Sequence, residues 1–413
     1  MHSRRKNYSS RKNYSSRSRG GSKSYGGGNS YGYKKNYRQK RWSTRELEEV
    51  IRQVEIENSK PSQEEVVYTP KHTFDTFEIG KTLKHNIVLK NYKMPTPIQD
   101  KTIPNIINGR DVIGIANTGT GKTAAFLIPL IELSSRDKKK KTLILTPTRE
   151  LAMQIYDEFR AFSRDMGIFT AIIIGGANMD RQKRQLRQHP QFVIATPGRL
   201  MDLLKQKALR LDDFNSVVLD ETDRMVDIGF LKDIKFLVSQ LQKNRQSLFF
   251  SATLSPKINE VLNSFVQDPV TVSVKKRETA KNVKQEILKI PNGTKKIDTL
   301  EDLLKKDEFS KVLVFGTTKH QVQEIAEELE HRGYKAGSIH GNKRQNQRQA
   351  VLRQFKNLDI NVLIATDVAS RGLDIKNVSH VINFDMPEDY TAYVHRIGRT
   401  GRADKKGVAI TLV

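Results

Sequence analysis

Two successive series of short apolar runs, with helical stretches between them, leave this 413-residue chain little choice of fold. The first series reads D-V-I-G-I-A (111–116), T-L-I-L-T-P (142–147), A-I-I-I (171–174), F-V-I-A-T-P (192–197), S-V-V-L-D (216–220) and L-F-F-S-A-T (248–253). The second reads K-V-L-V-F-G (311–316), A-G-S-I-H (336–340), N-V-L-I-A-T (361–366), H-V-I-N-F (380–384) and G-V-A-I-T-L-V (407–413). Runs this short, continuous rather than alternating, suit strands buried on both faces, as in parallel sheets covered by helices. Segments of helical pattern, such as Glu150 to Ser163 and Leu231 to Lys243, fall between them. The predicted fold class is α/β, with two tandem doubly wound parallel-sheet domains over 70–274 and 286–413. Residues 275–285 begin K-K-R-E-T-A-K-N, carry no apolar core and are predicted to be the linker. The cleft between two such domains is where the site is expected.

The first 41 residues are of another kind. They hold 13 Lys or Arg, no Asp or Glu, six of the 12 tyrosines and a tandem R-K-N-Y-S-S at 5–10 and 11–16. With almost no aliphatic surface to bury, residues 1–42 are predicted to form a disordered basic Tyr/Ser/Gly-rich tail. Arginine and lysine interspersed with tyrosine suit attachment to phosphates and stacking on unpaired bases. The tail carries half of a net charge of +26, which points to a polyanionic partner, nucleic acid ahead of an anionic membrane. Next, Ser43 opens S-T-R-E, a capping-box pattern completed by Glu46. Leu47, Val50, Ile51 and Val54 then recur at helical spacing, so residues 43–60 are read as one amphipathic helix ending before Pro61, whose apolar face either packs on the core or recruits a partner.

Several classes are excluded. No stretch approaches the ~20 apolar residues of a membrane span. Met1 to Ser10 lack the apolar segment of a secretory signal. Cysteine is absent, which removes disulfide scaffolds, Cys-ligated metals and thiol catalysis. The expected location is the cytoplasm.

Residues 116–123 read A-N-T-G-T-G-K-T, after a predicted strand and before a predicted helix from Ala124 to Leu133. Glycines there let backbone N–H groups close around phosphate oxygens, helped by the helix N-terminus. Lys122 is placed to reach the β- and γ-phosphates, and the Thr123 hydroxyl to sit on Mg²⁺. Asp220 ends the strand S-V-V-L-D and Glu221 follows it, which aims both carboxylates into the crevice of the same sheet. Asp220 can hold Mg²⁺ through its water shell, and Glu221 can orient and deprotonate an attacking water. In the second domain, H-R-I-G-R-T-G-R (395–402) offers Arg399 and Arg402 as arginine fingers toward the transferred phosphoryl group.

The order P-T-P-I-Q (95–99), A-N-T-G-T-G-K-T (116–123), P-T-R-E-L (147–151), G-G (175–176), T-P-G-R (196–199), D-E-T-D (220–223), S-A-T (251–253), T-D-V-A-S-R-G-L-D (366–374) and H-R-I-G-R-T-G-R (395–402) resembles that of a DEAD-box RNA helicase, from about Phe74 to Val413. The resemblance implies two RecA-like domains, ATP with Mg²⁺, and RNA gripped mainly without regard to sequence. It gives Gln99 the adenine edge and Phe74 the adenine face. Thr118, Gly119, Thr120, Gly121, Lys122 and Thr123 would hold the phosphates, with Gly372 and Asp374 contacting the nucleotide across the cleft. Asp223, Ser251, Thr253 and His395 would couple hydrolysis to strand separation. The RNA surface would comprise Pro147, Thr148, Arg149, Gly175, Gly176, Thr196, Pro197, Gly198 and Arg199, with Gly341, Gln345, Arg348, Thr366 and Asp367 in the second domain. Many of these are small or hydroxylic, which suits phosphate and 2′-OH contacts that read no bases.

Three positions depart from the family pattern. Thr222 stands where alanine is usual, Asn117 where glutamine is usual and Asn91 where glycine is usual. Helical residues that commonly follow the last strand are missing, so the outer face of the second domain is expected to be thinly covered. Two rival readings share these motifs: an ATP-gated RNA clamp or annealing chaperone without productive unwinding, and a DNA-directed helicase.

Overall fold

Each apolar run becomes a strand within two residues of its expected bounds, because each is flanked by turn residues or a helix cap that stops it. The computed structural model describes residues 42–59, 68–117, 119–274, 282–370, 375, 377–401 and 406–413. The basic tail, Thr118, most of the predicted linker, Gly372, Asp374 and Arg402 lie outside the described residues.

A first helix, α1 (Thr44–Ser59), precedes lobe 1. Lobe 1 runs α2 (Lys81–Leu89), α3 (Pro97–Ile107), β1 (Val112–Ala116), α4 (Lys122–Arg136), β2 (Thr142–Leu145), α5 (Arg149–Phe162), β3 (Thr170–Ile173), α6 (Met179–Arg187), β4 (Phe192–Ala195) and α7 (Pro197–Lys205). It continues β5 (Ser216–Leu219), α8 (Thr222–Asp227), α9 (Leu231–Ser239), β6 (Gln246–Ser251), α10 (Pro256–Phe265) and β7 (Val270–Val274). Lobe 2 runs β8 (Val283–Leu288), α11 (Lys296–Leu304), β9 (Val312–Phe315), α12 (Lys319–His331), β10 (Ala336–Ile339), α13 (Gln345–Asn357), β11 (Val362–Ala365), α14 (Asp367–Ser370), β12 (His380–Asn383), α15 (Tyr390–Ile397) and β13 (Gly407–Leu412).

Among the described residues, the seven strands of lobe 1 lie in the order β3-β4-β2-β5-β6-β1-β7 and the six of lobe 2 in the order β10-β11-β9-β12-β13-β8. All described pairings are parallel, so the C-terminal strand ends of each lobe share one edge. Two strands escaped the sequence reading. Strands β7 and β8 are V-T-V-S-V and V-K-Q-E-I-L, sheet-edge strands whose polar residues interrupt the apolar run. The linker is accordingly shorter than the predicted 275–285, since residues 283–285 pair with β13.

The capping box of α1 is present: the Glu46 carboxylate accepts from the Ser43 N–H at 2.7 Å, and the Glu46 N–H donates to the Ser43 hydroxyl at 3.2 Å. The helix packs on the core of lobe 2, where Leu47 (0% exposed) and Val54 (3%) join Val283, Tyr393 and Ile397. The Trp42 and Tyr393 rings lie 6.4 Å apart. This corrects the expectation of a thinly covered outer face: an N-terminal helix lies against it.

Candidate active site and nucleic-acid track

The loop after β1 turns through Gly119 (φ 80°) and Gly121 (φ 91°) into α4. Left-handed backbone there is what lets N–H groups point into one concavity. Gly121 is also forced by space, since a Cβ at that position would sit 2.4 Å from Gln99 Nε2. Lys122 is 7% exposed, and its ammonium donates to the Ala116 carbonyl at 2.5 Å, inside its own loop.

Gln99 sits in the first turn of α3, fully buried. Its carbonyl accepts from the Thr96 N–H at 3.0 Å and its amide donates to the Gly121 carbonyl at 3.1 Å. The residue assigned to the adenine edge thus braces the phosphate loop. Its neighbour Asp100 accepts from Tyr68 and from the backbone N–H groups of Lys71 (2.9 Å) and His72 (3.0 Å). Burial works against the Asp100 charge, yet these bonds hold the carboxyl below the usual carboxylate range. They pin the incoming segment that carries Phe74. That ring is 5% exposed and meets Phe77 and Tyr92 edge-on, at 5.9 and 6.0 Å, so in this structure it belongs to the lobe 1 core.

Asp220 and Glu221 follow β5, two strands from β1 in the sheet. Asp220 is 2% exposed, and its carboxylate accepts the Glu221 N–H at 3.0 Å. Burial pushes its pKa up to about 7, with Lys122 pulling the other way and Glu221 adding to the rise. A buried carboxylate held near neutrality is one that a cation would ionise, which fits Mg²⁺. No group of three or more metal-holding His, Asp or Glu side chains occurs among the described residues. Glu221 adopts φ 50°, ψ 50°, a conformation that costs a non-glycine residue about 1–2 kcal/mol. Arg224, one turn on and 8% exposed, is ion-paired with its carboxylate. Thr222 is fully buried, its hydroxyl 3.5 Å from the Leu219 carbonyl.

The segment assigned to coupling is wired to Asp223. One Asp223 oxygen accepts from the N–H of Ala252 (3.0 Å) and of Thr253 (3.1 Å), while the Asp223 N–H lies 3.4 Å from the Ser251 hydroxyl. His395 lies on α15 and Arg399 in the turn after it, beside Asp367 and Arg396.

The residues expected to form the lobe 1 track gather at the ends of β2, β3 and β4. Thr148 caps α5, accepting from the Leu151 N–H at 3.3 Å, and Thr196 precedes α7. The Arg149 guanidinium lies over Gly175 and Gly176, where a Cβ on Gly176 would come within 2.5 Å of Nη1. Arg199 donates to the Ala177 carbonyl at 3.0 Å. Burial, with Arg348 and Arg199 nearby, pulls the Arg149 pKa below its usual value. Pro147 is buried and Gly198 is exposed beside them.

Three residues of the expected lobe 2 track have protein partners in this structure. Gln345 (5% exposed) and Arg348 (6%) turn into the seam between the lobes, where Arg348 Nε donates to Glu150 at 2.7 Å and Gln345 Nε2 at 3.4 Å. Asp367 is committed to Arg396, which grips both carboxylate oxygens at 2.7 and 2.6 Å. Gly341 is exposed and Thr366 half-buried. Glu150, Arg224 and Arg396 received no role from sequence. Arg396 was detectable, because it shares the α15 face of Ala392, Tyr393 and Ile397, and a cation on an apolar stripe implies a buried partner.

The family model for the DEAD/DEAH box helicase matches residues 96–261, and that for the helicase conserved C-terminal domain matches 295–404. The ATP-dependent RNA helicase CshA of Limosilactobacillus reuteri is 41% identical over 341 residues, covering 82% of this chain and 69% of that protein. The DEAD-box ATP-dependent RNA helicase CshA of Bacillus cereus is 43% identical over 343 residues, covering 83% of this chain and 65% of the relative. The chain thus spans about two thirds of the length of these relatives. Among solved structures, S. cerevisiae Dbp5 bound to RNA and ADP BeF3 aligns with TM-score 0.71 at 29% identity, over 83% of this chain and 89% of that one. Mss116p bound to ssRNA and AMP-PNP aligns with TM-score 0.72 at 29% identity, over 83% and 75%.

Proposed function

Because the chain belongs to the DEAD-box family of ATP-dependent RNA helicases, we propose that its lobes act as an ATP-driven clamp that locally unwinds or remodels RNA. One observation carries the reading: Lys122, Asp220 and Glu221 lie at one edge of the same parallel sheet that presents Arg149, Gly175, Gly176 and Arg199. In this reading the loop from Thr118 to Thr123 holds the phosphates of ATP, with Lys122 released from the Ala116 carbonyl to meet them. Asp220 and Thr123 would hold Mg²⁺, whose chemistry when bound is to neutralise phosphate charge as a Lewis acid. Glu221 orients the attacking water and takes its proton. Gly372, Asp374, Arg399 and Arg402 approach from lobe 2, so the charge that develops on the phosphoryl group is met only when the lobes are together.

ATP shifts the lobes because it makes contacts in the closed state that it lacks in the open one. A strand held along both lobes follows a bent path that a continuous duplex resists, and loss of the γ-phosphate removes the reason to stay closed. Asp223, Ser251, Thr253 and His395 connect the two events. The basic tail adds sequence-independent RNA affinity. ATP turnover titrated with RNA and with DNA tests the proposal. RNA should stimulate turnover and DNA should not, and Lys122→Ala or Glu221→Gln should abolish it. Equal stimulation by both nucleic acids, or unchanged rates in the variants, would overturn it.

A further inference from the structure

We propose that the outer face of α6 is a docking surface for the phosphates of paired RNA flanking the strand held on the track; this rests on the reading that the track binds RNA. The helix reads M-D-R-Q-K-R-Q-L-R. Gln182 (3% exposed) and Leu186 (9%) face the core, and Met179 packs on it. The Gln182 amide bonds both the N–H and the carbonyl of Ile174 at 3.1 Å, which fastens the helix rigidly to the end of β3. Arg181, Lys183, Arg184 and Arg187 take the remaining arc, against the single acid Asp180. None of the four has an ion pair among the described residues. On lobe 2, by contrast, Arg332 is paired with Asp298, Glu301 and Glu328.

Location selects the occupant. The helix begins just after Gly175 and Gly176, which lie under Arg149, and after Ala177, whose carbonyl Arg199 holds. Its cations therefore continue the basic line of the track. Strand β3 is one of the two edge strands of the sheet, so α6 stands where a nucleic-acid strand crossing the ends of β2, β4 and β3 leaves the lobe. Arg181 to Arg187 covers about 9 Å along the helix axis. At the spacing of a B-form duplex, that length carries about five phosphates counting both strands, about twice the number on either strand alone. Long cations that read no base edges, on a rigid support, match the denser array.

The test uses the full chain, a non-hydrolysable ATP analogue and two RNAs: a single strand of about ten nucleotides, and the same strand extended by a duplex. Arg181→Gln, Arg184→Gln and Arg187→Gln are combined in one variant, and the three Lys replacements in another. Affinity is read by anisotropy from 50 to 200 mM salt. On the tailed duplex, the Gln variant should lower the slope of log affinity against log salt by about two to three, so that the parent loses roughly 15- to 60-fold more affinity over that range. The Lys variant and the bare strand should behave like the parent. Equal slopes on the tailed duplex, or an equal loss on the bare strand, would overturn the proposal. Failure of the parent to bind either RNA would instead sink the reading of the track.

Discussion

Arg348 Nε lies 2.7 Å from a carboxylate oxygen of Glu150, a residue 198 positions away on the other lobe, and both side chains are more than nine-tenths buried. The pair makes the seam between the lobes a charged contact. Removing one partner leaves a buried, unpaired charge, typically a cost of about 3–5 kcal/mol. Water reaches that charge once the lobes part, so the penalty should fall on closure rather than on folding. Arg348→Ala should lower the population of closed lobes in ATP analogue plus RNA, read by fluorescence ranging, with little change in Tm. Exchanging the two residues should restore part of it. An unchanged distance distribution in Arg348→Ala would show that the pair does not govern closure.

Asp220 sets a pH dependence with a definite sign. Its folded pKa of about 7 lies above the ordinary 3.8, so between those values the native state binds more protons than the unfolded chain. Stability should fall as pH rises through that window. Asp220→Asn, which cannot ionise, should show a higher Tm than the parent at pH 8, with the gap closing by pH 4, while turnover is lost. For the parent, lowering pH below 7 should raise the Mg²⁺ concentration needed for half-maximal turnover, because proton and cation compete for one carboxylate. A Mg²⁺ requirement that is flat from pH 6 to 8 would contradict this.

Gly176 tests the track. Its φ is 75°, and a Cβ would come within 2.5 Å of the Arg149 guanidinium. Gly176→Ala should cost about 1–2 kcal/mol of stability from the left-handed backbone alone. It should also displace Arg149, weakening RNA binding several-fold while leaving nucleotide affinity in the absence of RNA unchanged. Parent-like RNA affinity would remove Arg149 from the track.

Helix α1 offers a reporter. The chain has one tryptophan, Trp42, 6.4 Å from the Tyr393 ring. Leu47 is fully buried in the lobe 2 core, so Leu47→Ala should cost about 2–5 kcal/mol. The Trp42 emission should then shift to longer wavelength at a lower temperature than in the parent. Coincident transitions in the two proteins would mean that α1 contributes nothing to lobe 2.

Thr222 can be separated from the catalytic pair. Its buried hydroxyl has only a long contact, 3.5 Å, with the Leu219 carbonyl. Thr222→Ala should leave RNA-stimulated turnover within a few-fold of the parent, and any change in duplex release at equal turnover would assign the hydroxyl to coupling.

The strands of both lobes were legible because a parallel strand is buried on both faces, and β-branched and aliphatic runs such as S-V-V-L announce that environment locally. The phosphate loop was legible for a similar reason: Gly119 and Gly121 are required by the loop's own backbone. Asn91 shows the limit of such signals. It replaces a usual glycine, and only the structure reveals φ 58°, a conformation that asparagine tolerates better than most residues.

What the chain could not announce are partnerships between distant residues. Strands β7 and β8 were not read as strands, and the start of β8 was read as linker, because their polar residues interrupt the apolar run that marks a buried strand. Gln345 and Arg348 were assigned to a strand-binding surface, and only the fold shows that both also meet Glu150 of the other lobe. Arg396 looked like part of an arginine-rich loop until Asp367 was seen in its grip. Local pattern sets secondary structure and the loop that holds phosphate, because both depend on neighbours along the chain. The tertiary fold alone decides which charges face each other and which face solvent, because charge pairing depends on distance in space.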